Sequence, residues 1–270
     1  MNLSGMNEYI DSPGPHMGEA SSEPAAVQTL DARRAFLIFG VFLLIQFLTA
    51  IAVVIVVLIV FLARGALTTQ TPTQLQAVAL VPAALIGTTL ACYAAFRMTR
   101  QTLPGSIESG ALSSIGWSWG SGQALLISGL IGALISWFVL YILIPHAPPG
   151  PIRSFNPLVE AAATPGLRRV GWAFLIVAVA PPSEEFLFRG VLLEGLRRSW
   201  GLGTSGFLVT GMFIAGHLLQ THYWTALLGI SLLAGATLCI RLITRALGPS
   251  LVAHAAYNFV ILITVYARAL

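Results

Sequence analysis

Lysine is absent from this 270-residue chain, and charge of either sign is scarce. Charged residues make up 9% of the sequence, against roughly a quarter in an ordinary soluble domain. The hydrophobic share is 56% and the mean hydropathy is +0.84, a balance that excludes a soluble globular domain. All 14 basic residues are arginine, which is consistent with a coding bias of the source and carries no functional reading. The isoelectric point near 9.5 reflects arginines beside apolar runs, and nothing indicates a nucleic-acid-binding face. The two cysteines, Cys92 and Cys239, both fall within apolar runs, where packing is the plainer role. They say nothing about redox compartment. No internal repeat stands out, and the polar-apolar alternation of a membrane barrel strand is missing.

What the chain does have is long apolar runs, each close to the ~20 residues that a helical span needs. They run from about Ala35 to Ala63, Leu75 to Phe96, Ala124 to Ile144, Gly171 to Leu196, Thr204 to Gln220, Trp224 to Ile240 and Leu251 to Tyr266. Continuous runs of this length predict an all-α, polytopic transmembrane helical bundle of about seven spans, six to eight. Residues 1–34 read as a disordered, acidic N-terminal tail, carrying Glu8, Asp11, Glu19, Glu23 and Asp31 among Ser, Pro and Gly. Residues 35–144 read as N-terminal transmembrane helices, 145–168 as a proline-rich connecting loop, and 169–270 as a C-terminal membrane core. The acidic start does not suit a secretory signal, so the first span is expected to remain in the mature protein.

Arginine placement predicts the orientation. A cytoplasmic N-terminus puts eight arginines inside (Arg33, Arg34, Arg97, Arg100, Arg197, Arg198, Arg241 and Arg245) and five outside (Arg64, Arg153, Arg168, Arg169 and Arg268). The positive-inside rule favours that arrangement. Arg241 and Arg245 are expected to snorkel to the headgroups, and Glu194, Arg197 and Arg198 to close the cytoplasmic end of the fourth span. His222 and Trp224 suit an interfacial turn, and His16 and His146 carry no assignment.

The spans before Ile144 contain almost nothing ionisable, whereas those after Gly171 carry Glu184, Glu185, Arg189, Glu194, His217, His254 and Asn258. A charge at the bilayer centre costs a few kcal/mol even on the mildest scales, so an acid there marks function by default. Residues four apart share a helix face, so Glu185 can pair with Arg189, while Glu184 is turned about 100° away. Glu185 becomes the neutralised partner and Glu184 the unpaired carboxylate. Pro181 and Pro182 have no N–H, so on α-helical spacing the carbonyls of Val177 and Ala178 lose their partners, and a small wet cavity is expected before Glu184. A purely structural ion-pair network is the alternative, but such a clamp would not need the second acid. On the next spans, Phe213 and His217 lie one turn apart, with Gly211 and Gly216 expected to admit a close neighbouring helix. His254 and Asn258 lie one turn apart on the last.

The ordered patterns Glu-Glu-x-x-x-Arg (Glu184, Glu185, Arg189), Phe-x-x-x-His (Phe213, His217) and His-x-x-x-Asn (His254, Asn258) resemble the CPBP family of intramembrane glutamic endopeptidases. That family includes the type II CAAX prenyl proteases and the bacteriocin-processing and immunity proteins. The resemblance covers about Gly171 to Tyr266. It implies an endopeptidase in which Glu184 is general base with His217 as partner, while His254 and Asn258 stabilise an oxyanion. Glu185, Arg189 and Phe213 would support them. It implies no cofactor and no metal, a membrane-associated peptide or protein substrate, and a bacterial plasma-membrane location.

Other readings stay open at this point. Two histidines and glutamates are also zinc-type ligands, although a His-Glu-x-x-His helix is missing. A non-enzymatic adaptor or immunity-type protein of the same fold, or a proton-relaying transporter, would carry similar residues. One tension concerns depth: in a seven-span drawing His217 and His254 sit near 15 Å apart along the membrane normal at 1.5 Å per residue. Sharing a site would require tilted or broken helices, a re-entrant segment, or a last span starting before Gly248.

Overall fold

The computed structural model describes residues 30–65, 71–103, 111–146, 166–218 and 224–269. Most of the acidic tail, including His16, lies outside the described residues, as do His222 and most of the proline-rich connection. Among the described residues the regular structure is entirely helical, with no strand.

Helix α1 spans Ala32–Ala63, α2 Thr71–Thr102 and α3 Gly122–Phe138, the last running on into a π-helical turn at Val139–Leu143. Asp31 caps α1 by accepting from the Arg34 N–H, and Ser121 caps α3 by accepting from that of Ala124, each satisfying a donor that no earlier turn can. A long composite helix follows: α4 (Leu167–Phe174), a π segment at Leu175–Val179, α5 (Ala180–Glu184), a second π segment at Glu185–Leu192, and α6 (Leu193–His217). Helices α7 (Trp224–Thr244) and α8 (Leu247–Ala269) complete the bundle.

Six helices among the described residues are long and apolar enough to cross a membrane, so the chain is an integral membrane protein. One of the six, Arg169–His217, is 49 residues long. It is not straight. Gly201 has φ 76° and ψ 169°, a conformation only glycine adopts readily, and it breaks the run in two. Phe188 and Phe213, on opposite sides of Gly201, stack edge to face at 5.2 Å, so the two arms fold back on each other. The expected fourth and fifth spans are these arms.

Helix α1 packs along α2, α3 along α8, and α7 between α6 and α8. Lipid is as apolar as leucine, so contact between membrane helices depends on close packing and polar links rather than on escape from water. The α3–α8 contact has both. Ser136 donates to the Tyr257 carbonyl at 2.6 Å, and a Cβ at Gly132 would run into the Ala253 carbonyl oxygen. The start of α8 is pinned separately, its Leu247 and Gly248 N–H groups donating to the Gly116 and Ser118 carbonyls at 2.8 and 2.9 Å.

The glycines named from sequence behave differently. A Cβ at Gly211 or Gly216 would meet nothing within 4 Å, so neither admits a close helix. Gly216 lines a cavity instead. The contrast gives a paired test in detergent-solubilised protein. Gly132→Ala forces backbone apart and should cost about 1–3 kcal/mol, as overpacking does, whereas Gly211→Ala should be neutral or slightly stabilising through helix propensity. Equal melting temperatures for the two variants would show that the α3–α8 approach does not limit packing.

Candidate active site

The site is built around two interrupted stretches of helix. In the π segment before Pro181, the Ala180 N–H donates back to the Leu175 carbonyl, five residues earlier. The next donor on that ladder would be Pro181, which has none. The Ile176 carbonyl is therefore left over, and the Asn258 Nδ2 amide of α8 donates to it at 2.9 Å. The α-helical spacing used on the sequence predicted Val177 and Ala178 as the freed acceptors. The wider π turn moves the position that Asn258 satisfies to Ile176.

The second π segment carries the acidic pair. All eight of its residues are buried, and Glu185 and Arg189 have no exposure at all. Glu185 Oε1 accepts from His254 Nδ1 at 3.0 Å and lies 3.4 Å from an Arg189 guanidinium nitrogen. The other terminal nitrogen of Arg189 donates to the Ala234 carbonyl at 3.1 Å and to the Thr237 hydroxyl at 2.6 Å, both on α7. Thr237 passes its own hydrogen to the Leu233 carbonyl at 3.0 Å. The guanidinium carbon sits 4.3 Å above the Phe213 ring, a cation–π contact that water does not weaken here.

Glu184 faces the other way. Its side chain is 24% exposed, and its Oε2 lies 3.9 Å from His217 Nε2 and 3.8 Å from His254 Nε2. These gaps are too long for direct hydrogen bonds, and Oε2 is buried without a hydrogen-bond partner. Both rings have the same polarity. His217 Nδ1 bonds the Phe213 carbonyl at 2.8 Å, an atom that can only accept, so Nδ1 carries the proton. His254 Nδ1 likewise faces the carboxylate of Glu185. In the neutral rings, two Nε2 lone pairs and one carboxylate oxygen therefore converge on one region. Phe213 holds both rings in place, 4.6 Å from His217 and edge-on to His254 at 5.8 Å.

The depth tension between the histidines disappears in this arrangement. His217 lies at the C-terminal end of an arm that returns from Gly201, α8 begins at Leu247, and both imidazoles reach Glu184. Of the seven residues singled out in sequence, Glu184, His217 and His254 converge on one region, and Glu185, Arg189 and Phe213 brace them. Asn258 is engaged with backbone beside Pro181.

A cavity of about 640 Å³ opens in front of Glu184, Ser183 and His217. Its far walls come from α1 and α2, through Phe42, Gln46, Leu80 and Thr88. It is larger and more apolar than the small wet cavity expected. Thr237, Gln46 and Thr88 were all missed from sequence. Gln46 had a readable signal, a carboxamide inside a run otherwise almost wholly apolar.

One expectation about charge is corrected. Arg241 does not snorkel: it is 5% exposed and pairs with Glu194 Oε1 at 3.1 Å. Glu194 is buried too, with its second oxygen 2.8 Å from Arg197. Arg241 stays inside because Gly116 leaves room for the guanidinium, where a Cβ would collide with it. Among the described residues no group of three His, Cys, Asp or Glu side chains is arranged to hold a metal ion.

Fold and site define a polytopic helical membrane protein with a carboxylate–imidazole cluster buried at the meeting of its C-terminal helices. Residues 166–260 match the family model described as type II CAAX prenyl endopeptidase, Rce1-like, and this segment is similar to that family of membrane proteases. No curated protein and no solved structure matches the chain.

The Asn258 contact can be tested for its structural part. Asn258→Leu leaves the Ile176 carbonyl unpaired at membrane depth and should lower stability by about 1–3 kcal/mol, read as a fall in melting temperature. An unchanged melting temperature would show that the bond contributes nothing.

Proposed function

We propose that the chain hydrolyses a peptide bond within or next to the bilayer, using a water activated by Glu184 and His217. The observation that carries this reading is the convergence of both imidazole Nε2 atoms on Glu184 Oε2, at 3.9 and 3.8 Å. A water between Glu184 Oε2 and the His217 Nε2 lone pair gives up a proton as its oxygen attacks a carbonyl carbon. Glu184 takes that proton, His217 assists, and the proton is returned to the departing amine. No acyl-enzyme forms.

His254 and Asn258 stand as the oxyanion donors, each under a condition set by its contacts. His254 donates through Nε2 only with both ring nitrogens protonated. Asn258 has one amide hydrogen on Ile176 and one remaining for the oxyanion. Donors fixed this way in a water-poor site stabilise developing charge without having to reorganise.

The substrate is a membrane-associated peptide or protein, with no nucleic-acid partner and no metal or other cofactor. We place the chain in a bacterial plasma membrane with its N-terminus in the cytoplasm. The Ala32 N–H donates to the Ser199 hydroxyl at 3.1 Å, so Arg33, Arg34, Arg197 and Arg198 gather at one membrane end, as the positive-inside rule requires of a cytoplasmic face.

Membranes holding wild type and Glu184→Gln are compared by sequencing peptide termini. Termini present with wild type should fall about 10²- to 10⁴-fold in the variant, the range of a lost general base, while the variant stays folded. Matching termini with a folded variant would refute the protease and leave a non-enzymatic membrane adaptor. Cleavage should also persist after dialysis against EDTA and 1,10-phenanthroline; loss restored by zinc would overturn the metal-free mechanism.

A further inference from the structure

A peptide reaching this site faces a constraint that a soluble protease does not impose. To expose a carbonyl to attack, the chain must leave its helix, and its N–H and C=O groups then have no water to bond at membrane depth. The walls of the cavity have to supply partners. In the 640 Å³ cavity the Ser183 hydroxyl already donates to the Ala180 carbonyl at 2.7 Å, His217 Nδ1 is held by the Phe213 carbonyl at 2.8 Å, and Glu184 is reserved for the attacking water.

Gln46 on α1 and Thr88 on α2 also line this cavity, and among the described residues neither side chain has a hydrogen-bond partner. Each departs from what its helix normally requires. A threonine in a helix usually returns its hydroxyl to the carbonyl four residues earlier. Thr89, Thr99 and Thr244 do so, at 2.7, 2.8 and 2.8 Å, and Thr88 does not. A carboxamide on a membrane helix usually bonds across to a neighbour. Gln46 lies where α1 touches α2, with its Cα 3.5 Å from the place a Cβ would occupy on Gly87, yet it makes no such link. Two polar side chains with unmet hydrogen bonds, on adjacent helices and facing one cavity, suit a ligand with alternating donors and acceptors.

We infer that Gln46 and Thr88 bind the main chain of the unwound substrate, Gln46 through both its amide N–H and its carbonyl, and Thr88 through its hydroxyl. This rests on the protease reading and deepens it: the substrate enters as an extended apolar segment held by α1 and α2 opposite Glu184. Recognition of the main chain, with apolar side chains such as Phe42 and Leu80 around it, selects unwindable apolar segments rather than a fixed sequence.

The experiment uses full-length protein in nanodiscs and a synthetic peptide spanning the most abundant Glu184-dependent terminus. Gln46→Met and Thr88→Val keep shape and remove the hydrogen bonds. Each should raise KM about 3- to 10-fold for every ordinary hydrogen bond lost, one at Thr88 and two at Gln46, with kcat nearly unchanged because the contact is made before and during reaction alike. Peptides N-methylated at single amides near the cleaved bond supply the second readout. One methylation should raise KM for wild type and add nothing for Gln46→Met, since both changes delete the same bond. Unchanged KM in both variants, or a loss seen only as a lower melting temperature, overturns the inference in favour of α1–α2 helix adhesion while leaving the protease standing. Full additivity at every methylated amide also overturns it. If Glu184→Gln removes no terminus, the protease reading fails first and takes this inference with it.

Discussion

Arg189 is the group on which the rest of the structure depends. It is fully buried, and an isolated guanidinium at that depth would cost far more than the marginal stability of a fold. Its charge is met on three sides: Glu185 one turn away, the Ala234 carbonyl and Thr237 hydroxyl of α7, and the face of Phe213. Each partner sits on a different stretch of chain, so satisfying one cation fixes how those stretches meet. Glu185 extends the network by gripping His254 Nδ1, and the orientation of that ring determines where its Nε2 faces. The geometry around Glu184 is thus a consequence of the neutralisation of Arg189. A clamp and a cavity-facing carboxylate can be sequence neighbours because adjacent helical residues face different sides.

The two π segments make the rest possible. They flank α5, whose residues include Pro181, Pro182, Ser183 and Glu184, and a π turn is rare in helices and concentrated where a site needs a distorted ladder. Here the distortion has a chemical cause in the first segment, since the prolines remove two donors. It has a structural use as well. The leftover Ile176 carbonyl gives α8 a point of attachment through Asn258, and the same helix turn carries His254. One end of α8 is fixed by backbone bonds to the segment around Gly116, and its middle by Glu185 and Ile176.

Much of this was legible in the sequence, because charge in an apolar run is a loud signal. The all-helical membrane fold, the pairing of Glu185 with Arg189 and the separate direction of Glu184 all follow from composition and helical spacing. The failures have physical reasons too. The leftover carbonyl was placed at Val177 and Ala178 because a regular α ladder was assumed, and nothing in a single sequence shows that a ladder has widened. Arg241 was assigned to the headgroups because snorkelling is the usual fate of such an arginine. The pocket that keeps it inside comes from Gly116, more than a hundred residues away. The histidine depths conflicted in part because the last span was drawn from Leu251, whereas α8 begins at Leu247.

The hardest part to read was the first half of the chain, which offered no charged residue within its spans. Its contribution to the cavity follows from the cost of charge on a lipid-exposed helix. α1 is exposed along most of its length, with Leu44, Phe47, Leu48 and Ile55 all facing outward. A charged side chain there would have no buried counter-ion of the kind Arg189 finds, and would cost a few kcal/mol in insertion. A carboxamide or a hydroxyl costs less and still provides directional hydrogen bonds. A wall formed by peripheral helices is therefore built from groups such as Gln46 and Thr88, while charge is confined to the C-terminal helices that can neutralise it. The same constraint that makes the C-terminal half conspicuous in sequence keeps the N-terminal half quiet.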